Sequence, residues 1–125
     1  MFMSTFSKRV TGEQGEAAAA RFLHTAGYKI LARNYCTRDG EIDIIARHED
    51  TLVFVEVKST RTNTFGDPHT WVDERKQRRL GCAAEKYLLD NAIENVDCRF
   101  DVITVDFSRR PPHIEHTQDA FWLEE

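Results

Sequence analysis

The sequence lacks the features that mark membrane and secreted proteins. No apolar run approaches the roughly 18 residues that a membrane-spanning helix needs. The opening stretch, MFMSTFSKRV, has no apolar core of the kind that a secretion signal carries. Only three cysteines are present, none of them in a CxxC pair: Cys36, Cys82 and Cys98. An odd set of this kind predicts free thiols in a reducing compartment, so we expect a cytoplasmic protein with no membrane partner.

Two further absences narrow the class of ligand. The five histidines include no helical HxxxH pair, which argues against a zinc site. The net charge is −4, so the chain as a whole lacks the positive excess that is typical of DNA-binding proteins. Positive charge is nevertheless concentrated in one span, at Lys58, Arg61, Arg75, Lys76, Arg78 and Arg79. This span is either a solvated helix face or a local contact for nucleic acid.

The composition is that of a globular protein, with 41% hydrophobic and 30% charged residues. A chain of 125 residues is long enough to bury roughly two-thirds of its unfolded surface. No internal repeat, low-complexity tract or linker divides it. We therefore expect one domain over residues 1–125, with its core at about residues 11–107.

One stretch with a strong strand pattern lies near the middle of the chain. Gly40–Lys58, GEIDIIARHEDTLVFVEVK, predicts a β-hairpin whose strands are Glu41–Ala46 and Leu52–Lys58. Glu49 and Asp50 are then the turn. Valines alternate along one face of the second strand, and leucine and phenylalanine lie on the other face. We therefore expect this strand to be central in the sheet and buried on both faces.

The turn determines which residues of the two strands face each other. The expected pairs are His48 with Thr51, Ile45 with Phe54, Asp43 with Glu56, and Glu41 with Lys58. Two carboxylates, on Asp43 and Glu56, therefore lie side by side near Lys58 at the end of a buried strand. Their repulsion is relieved either by a bound divalent cation or by a proton that the two carboxylates share.

A third acid lies on the first predicted helix. The pattern predicts this helix over residues 11–26, after a frayed end over residues 1–9. Thr11 is expected to cap the helix, with Gln14 reaching back to the cap. Glu16 projects onto the apolar stripe, toward the sheet. Because a glutamate in a first turn also interacts favourably with the helix dipole, Glu16 is either a third acid of the site or a dipole partner.

The remaining elements complete an α-β-β-β-α-β order. They are a first strand at Tyr28–Tyr35, a second helix at Thr70–Asn91, a fourth strand at Arg99–Phe107, a short edge strand at His113–His116 and a terminal turn at Asp119–Leu123. Short connections make the first three strands antiparallel, and the helical crossover makes the fourth strand parallel to the third. The fold class is α/β, with a mixed central sheet flanked by helices. The polar loop after Lys58 is either a substrate-contacting segment or a connector.

The second helix places two basic side chains near the acids. Lys76 falls on the inward stripe of this helix, and Arg79 lies beside that stripe. A crossover helix begins near the end of the strand before it. Lys76 is therefore expected either to reach the carboxylates or to extend along the helix to solvent.

These residue types suit the hydrolysis of a phosphodiester. Asp43, Glu56 and Glu16 supply the carboxylate oxygens that Mg²⁺ or Mn²⁺ prefers, and a bound metal lowers the pKa of an attacking water. Lys58 lies on the same strand face as Glu56, where its ammonium group can orient the water or bind the phosphate.

Several motifs together resemble a known family. They are G-E-x-x-A at Gly15, Glu16 and Ala19; G-Y-x-I-L-x-x-N-Y over 27–35; G-E-I-D-I-I-A over 40–46; V-F-V-E-V-K over 53–58; F-G-x-P at Phe65, Gly66 and Pro68; V-D-x-x-K at Val72, Asp73 and Lys76; and R-F-D-V over 99–102. The set resembles the PD-(D/E)XK nuclease superfamily. More closely, it resembles the YraN family of bacterial proteins, which is related to archaeal Holliday-junction resolvases.

The resemblance implies a restriction-endonuclease-like core with the α-β-β-β-α-β order. It implies that Asp43 and Glu56 bind metal, that Lys58 assists hydrolysis, and that Glu16 is a metal ligand, as in the resolvase branch. The proline of the superfamily motif is replaced here by Ile42. Because resolvases act as symmetric dimers on branched DNA, the resemblance also implies a homodimer and a branched or junction substrate.

We therefore expect a Mg²⁺- or Mn²⁺-dependent endonuclease that hydrolyses DNA. The expected catalytic residues are Asp43, Glu56 and Lys58, the metal ligands are Glu16, Asp43 and Glu56, and the substrate-binding residues are Lys76, Arg79 and Arg61. Arg61 is given no catalytic role, since Ser59 and Thr60 separate it from Lys58. One alternative is a non-catalytic nucleic-acid-binding or protein-interaction module with the nuclease fold. Another is a purely structural charge network around Lys58.

Overall fold

Five strands form one mixed sheet with a helix on each face. The computed structural model describes residues 5–66 and 71–121, with side chains from residue 8 onward. The elements are α1 (Thr5–Thr25), β1 (Lys29–Cys36), β2 (Glu41–His48), β3 (Thr51–Thr60), α2 (Glu74–Asp90), β4 (Asp97–Asp106) and β5 (His113–Thr117). The strand order in the sheet is β1-β2-β3-β4-β5. Only β3 and β4 pair in parallel, so the predicted α-β-β-β-α-β core and its edge strand are confirmed.

The central strand β3 is buried because its two faces carry different apolar side chains. Val53 and Val55 pack under α1, together with Leu23 of that helix. Leu52 and Phe54 pack on the opposite face, with the apolar residues of α2. The prediction that this strand is central and covered on both sides is confirmed.

The first helix starts earlier than predicted. It begins at Thr5, so residues 5–9 are helical rather than frayed. Thr11, which was expected to be the N-cap, lies inside the helix and is only 4% exposed. Its hydroxyl oxygen accepts a hydrogen bond from Nε of Arg61 at 2.7 Å. The capping-box interpretation is wrong because this threonine serves a tertiary contact rather than a helix end.

The second helix begins at Glu74. Asp73 caps it, since its carboxylate accepts the backbone N–H of Lys76 at 2.9 Å. The predicted start at Thr70 lies outside the described residues, as does Trp122 of the predicted terminal turn, whereas Phe121 packs against the α2-side core. Neither described helix is both long and apolar enough to cross a membrane.

Candidate metal centre

Asp43 lies where the pairing between β2 and β3 ends. The register is the predicted one from the turn as far as the Ile44–Val55 pair. Beyond it, the backbone N–H of Val57 donates to Oδ2 of Asp43 at 2.8 Å. A side chain thus replaces the β2 backbone as the partner of this amide. The Asp43 carboxylate is consequently held at the edge of the ladder, inside the protein.

Two of the expected cross-strand pairs are therefore absent from the ladder. Asp43 is not paired with Glu56, and Glu41 is not paired with Lys58. Extending the register to these residues was wrong. The Asp43 side chain, rather than the β2 backbone, accepts the hydrogen bond from the Val57 amide. Asp43 and Glu56 nevertheless remain close enough for the charge of Glu56 to raise the pKa of Asp43.

Three carboxylates converge at this point. Glu16 of α1 and two residues of β2, Glu41 and Asp43, each offer an oxygen, and the three oxygens lie within 4.8 Å of one another. Sequence reasoning had paired Glu41 with Lys58 and so missed it as an acid of the site. The available signal was its spacing, two residues before Asp43 in a strand, which places both side chains on the same side of the chain.

The environment of Asp43 disfavours its charged form. Burial is the largest cause, and the negative charges of Glu56, Glu16 and Glu41 add to it. The hydrogen bond from the Val57 amide acts in the opposite direction. The net effect raises the pKa of Asp43 to about 8. Without a cation, this carboxyl group is therefore mostly protonated at neutral pH.

Glu16 belongs to the acid cluster rather than to a helix end. Because α1 begins at Thr5, Glu16 is far from the first turn, which excludes the interpretation as a dipole partner. Burial raises the pKa of its carboxyl group, a side-chain hydrogen bond with Asn34 lowers it, and the charge of Glu41 raises it. Asn34 has a φ of 53°, a left-handed conformation that asparagine tolerates better than most residues.

Glu56 has a different partner from the other acids. It is 8% exposed, and the Nζ atom of Lys76 donates to its Oε1 atom. Of the two alternatives for Lys76, the structure thus shows the one in which it reaches a carboxylate. The three-acid cluster found among the described residues accordingly consists of Glu16, Glu41 and Asp43, with the Glu56–Lys76 pair beside it.

Asp43 and Glu56 lie between two clefts, one beside each helix. The α2-side cleft has a volume of about 470 Å³ and is lined also by Gly40, Glu41, Asp73, Arg75, Lys76 and Arg79. The α1-side cleft has a volume of about 560 Å³ and is lined also by Lys8, Thr11, Glu16, Ser59, Arg61 and Thr62. An extended ligand can therefore approach the acids from either face of the sheet.

The predicted basic residues occupy three different environments. Arg79 and Lys76 line the α2-side cleft, whereas Arg61 lines the α1-side cleft and bonds to α1. Lys58 is half-buried on β3 and lines neither cleft. Its side chain makes no hydrogen bond or ion pair within residues 5–66 and 71–121. The structure thus gathers Glu16, Asp43, Glu56, Lys76 and Arg79, and leaves Lys58 at the margin.

The position of Glu16 depends on its neighbour Gly15. A Cβ atom on Gly15 would lie 1.7 Å from Oγ and 2.8 Å from Cβ of Ser59 on β3. Replacing Gly15 by alanine is therefore expected to push α1 off the sheet and to lower the free energy of unfolding by about 1–3 kcal/mol. Gly12→Ala is the matched control, since a Cβ there meets nothing within 4 Å.

Urea denaturation followed by circular dichroism measures both changes. Gly12→Ala should stabilise the protein by about 0.5–1 kcal/mol, because alanine is the better helix former. Equal effects of the two substitutions would contradict the close approach of α1 to β3 at Gly15.

Comparison with known proteins identifies the family. Residues 15–105 match the model described as "Uncharacterised protein family UPF0102". A UPF0102 protein of Syntrophus aciditrophicus is 46% identical over 113 residues, which cover 90% of this chain and 89% of that protein. One of Chlorobium chlorochromatii is 47% identical over 120 residues, covering 91% and 92%. A third, of Symbiobacterium thermophilum, is 51% identical over 100 residues, covering 80% and 84%. The chain therefore belongs to protein family UPF0102, the YraN family that its motifs resemble.

Proposed function

We propose that this protein is an endonuclease that uses Mg²⁺ or Mn²⁺ to hydrolyse DNA phosphodiester bonds, with branched or junction DNA as its substrate. The observation that carries the proposal is the convergence of Glu16, Glu41 and Asp43, whose carboxylate oxygens lie within 4.8 Å of one another. Like charges at this spacing are unfavourable in a partly buried site: burial raises the pKa of Asp43, and the charges of Glu56, Glu16 and Glu41 raise it further. A divalent cation would remove that repulsion.

The donor set fits a hard divalent cation. All three converging groups are carboxylates, which are the ligands that Mg²⁺ and Mn²⁺ prefer, and the set contains no thiol or imidazole. Glu16, Glu41 and Asp43 would hold the cation, with Glu56 adjacent on β3. Such a cation supplies two effects when bound: it lowers the pKa of a coordinated water and offsets negative charge on the phosphate.

Side chains of α2 would bind the phosphates on one side of the scissile bond. Arg75 and Arg79 are one helical turn apart, are exposed and line the α2-side cleft with the acids. Within the part of the chain that the structure describes, neither guanidinium group has a hydrogen-bond or ion-pair partner. Guanidinium groups suit bidentate binding to phosphate oxygens. This basic surface is local, in a chain whose net charge is −4.

Lys76 and Lys58 would act on the reacting groups. Lys76 donates to Glu56, and both side chains line the α2-side cleft. Lys58, on the same strand as Glu56, would orient the attacking water or the phosphate. In the reaction, the water oxygen bonds to phosphorus as a P–O ester bond breaks. The attacking water gives up one proton, and the leaving oxygen takes up one proton.

A second candidate function is a binding module without turnover. The observation that favours it is the ion pair between Glu56 and Lys76, because it occupies a carboxylate that a nuclease of this fold would direct to the metal. The interpretation as a structural network around Lys58 gains no support, since Glu56 pairs with Lys76 instead. A homodimer remains a proposal that rests on the resemblance to resolvases.

Incubation with Mn²⁺ and a panel of DNA substrates tests the proposal. The panel contains single-stranded, duplex, flapped and four-way-junction DNA, and the Asp43→Asn protein is assayed alongside the wild type. We expect metal-dependent cutting, strongest on a branched substrate, that falls by at least about a thousandfold in the variant. Binding of DNA without cutting by either protein would favour the non-catalytic module.

A further inference from the structure

We infer that Arg61 is a positioning residue of the candidate metal centre rather than a phosphate contact. It fixes α1 against the end of β3, so that Glu16 faces Asp43. The inference deepens the proposed function and rests on it, since it concerns the same cation site. It gives Arg61 a role different from that of Arg75 and Arg79, the arginines of the α2-side cleft.

The contacts of Arg61 join separate parts of the fold. Its Nε donates to Oγ1 of Thr11 at 2.7 Å, and its Nη2 donates to Oε1 of Gln14. Its guanidinium carbon lies 5.5 Å from the centre of the Phe107 ring, just beyond β4. The group is therefore bonded to α1 on two sides and lies against an aromatic face. These two hydrogen bonds use the Nε–Nη2 edge of the guanidinium group, so that edge is not available for a bidentate contact with a phosphate.

These contacts fix how far α1 is shifted along its axis and how it is rotated about that axis relative to the sheet, and so they fix the position of Glu16. Thr11 and Gln14 precede Glu16 by five and two residues in the same helix, and an α-helix transmits both rise and rotation from residue to residue. Gly15 lies against Ser59 of β3, which provides the second anchor. Both anchors connect α1 to the segment just beyond Glu56. Together they hold the Glu16 carboxylate against Asp43, with which it shares a hydrogen bond.

Titration of Mn²⁺ alone into the metal-free protein tests the inference. Arg61→Gln is expected to weaken Mn²⁺ binding about tenfold, the lower end of the range for residues that orient metal ligands. The sign of this change is diagnostic. Removing a positive charge near a cation site would, by electrostatics alone, strengthen cation binding. Weaker binding therefore points to misplacement of Glu16.

Two variants repeat the test without changing charge. Gln14→Ala and Thr11→Val each remove one acceptor of Arg61, and each is expected to weaken Mn²⁺ binding several-fold, by about threefold or more. Combined with Arg61→Gln, Gln14→Ala should add little, because both substitutions break the same bond. Gln14 is exposed, so its variant keeps the test usable if Arg61→Gln fails to fold. Thermal melts by circular dichroism confirm folding.

Binding of four-way-junction DNA without metal, at several salt concentrations, tests the phosphate role separately. Arg79→Gln is the matched control, since it makes the same chemical change on the other side of the acids. Its loss of one phosphate contact should reduce the slope of log affinity against log salt by about one. Arg61→Gln should leave that slope unchanged. Arg79→Gln should not weaken Mn²⁺ binding, because it removes a positive charge without disturbing the contacts of α1.

The outcomes separate the inference from the proposed function. Wild-type protein that binds no Mn²⁺ would refute both. Normal Mn²⁺ affinity in the Arg61→Gln and Gln14→Ala proteins, beside a wild type that binds, would overturn only the positioning role. A salt slope that falls by about one in Arg61→Gln would also overturn it, since Arg61 would then contact a phosphate.

Discussion

At pH 8 and without metal, the Asp43→Asn protein is expected to be more stable than the wild type by several kcal/mol. Burial and the nearby acids raise the pKa of Asp43 from 3.8 to about 8, and each unit of such a shift corresponds to about 1.4 kcal/mol. Asparagine is neutral at every pH, and its side-chain oxygen can still accept the hydrogen bond from the Val57 amide. The variant therefore removes the unfavourable charge and keeps the contact.

The pH dependence has a defined sign. The folded-state pKa of Asp43 lies above the unfolded value, so folding favours the protonated carboxyl group. This contribution to stability is complete below about pH 4, and it is lost as the pH rises toward 8. The wild type should thus lose stability over this interval, and the Asp43→Asn protein should lose less. The difference between the two proteins should vanish near pH 4.

Urea denaturation at a series of pH values, with a chelator present, measures this difference. Asp50→Asn is the matched control, because it is the same chemical change at the exposed turn of the same hairpin. We expect the control to differ from the wild type by less than about 0.5 kcal/mol throughout. If the free energy of unfolding varied with pH in the same way for the wild type and the Asp43→Asn protein, the pKa of Asp43 would not be raised by folding.

Replacing Asp101 by asparagine is expected to lower the free energy of unfolding by about 3 kcal/mol or more. Asp101 is 1% exposed. Its carboxylate accepts hydrogen bonds from Nε and Nη2 of Arg99 at 2.9 and 3.0 Å, from Nε2 of His116 at 2.7 Å and from the backbone N–H of Asp119 at 3.0 Å. The substitution leaves the largely buried Arg99 without a counter-ion, which costs several kcal/mol in comparable pairs.

This second carboxylate responds to pH in the opposite direction from Asp43. Burial acts to raise the pKa of Asp101, but the hydrogen bonds from His116, Arg99 and the Asp119 amide outweigh burial and lower it. A depressed folded-state pKa contributes stability above the unfolded value near 3.8, and this stability is lost as the pH falls further. The contribution of Asp43 is lost as the pH rises above about 4 and that of Asp101 as the pH falls below it, so these two groups together favour the folded state most near pH 4.

Urea denaturation at pH 6 measures the effect of Asp101→Asn. Asp97→Asn, at the exposed start of the same strand, is the control and should change stability by less than about 0.5 kcal/mol. Because Asp101 holds His116 of β5 and the chain beyond it, amide exchange of residues 113–117 should accelerate most. A loss below about 1 kcal/mol would mean that Arg99 and His116 find other partners.

The topology could be predicted from the sequence, because the turn and strand patterns were consistent with the arrangement that buries the apolar residues. The apolar faces of β3 could only be satisfied at the centre of a sheet, and a two-residue turn set the register correctly from His48–Thr51 to Ile44–Val55. The inward angle of Glu16 followed from helical periodicity. Each of these features depends on spacing along a single element, which can be read from the sequence alone.

The missed features depend on contacts between elements. Thr11 is a residue type that often caps helices, but its hydroxyl group accepts a hydrogen bond from Arg61, fifty residues away in the sequence. The ladder stops at Ile44 because the Asp43 carboxylate accepts the hydrogen bond from the Val57 amide. The strand pattern of the sequence does not predict that a side chain replaces the backbone as the acceptor. The same separation of the strands leaves Glu41 beside Glu16 and Asp43 rather than opposite Lys58.

Calorimetric titration of Mn²⁺ into the metal-free wild type and the Asp43→Asn protein at pH 7.5 tests most directly that the acid cluster is a cation site. We expect saturable binding by the wild type and at least about hundredfold weaker binding by the variant, because Asp43 is one of the three acids whose oxygens converge. Absence of binding to the wild type, or the same isotherm for both proteins, would contradict the account.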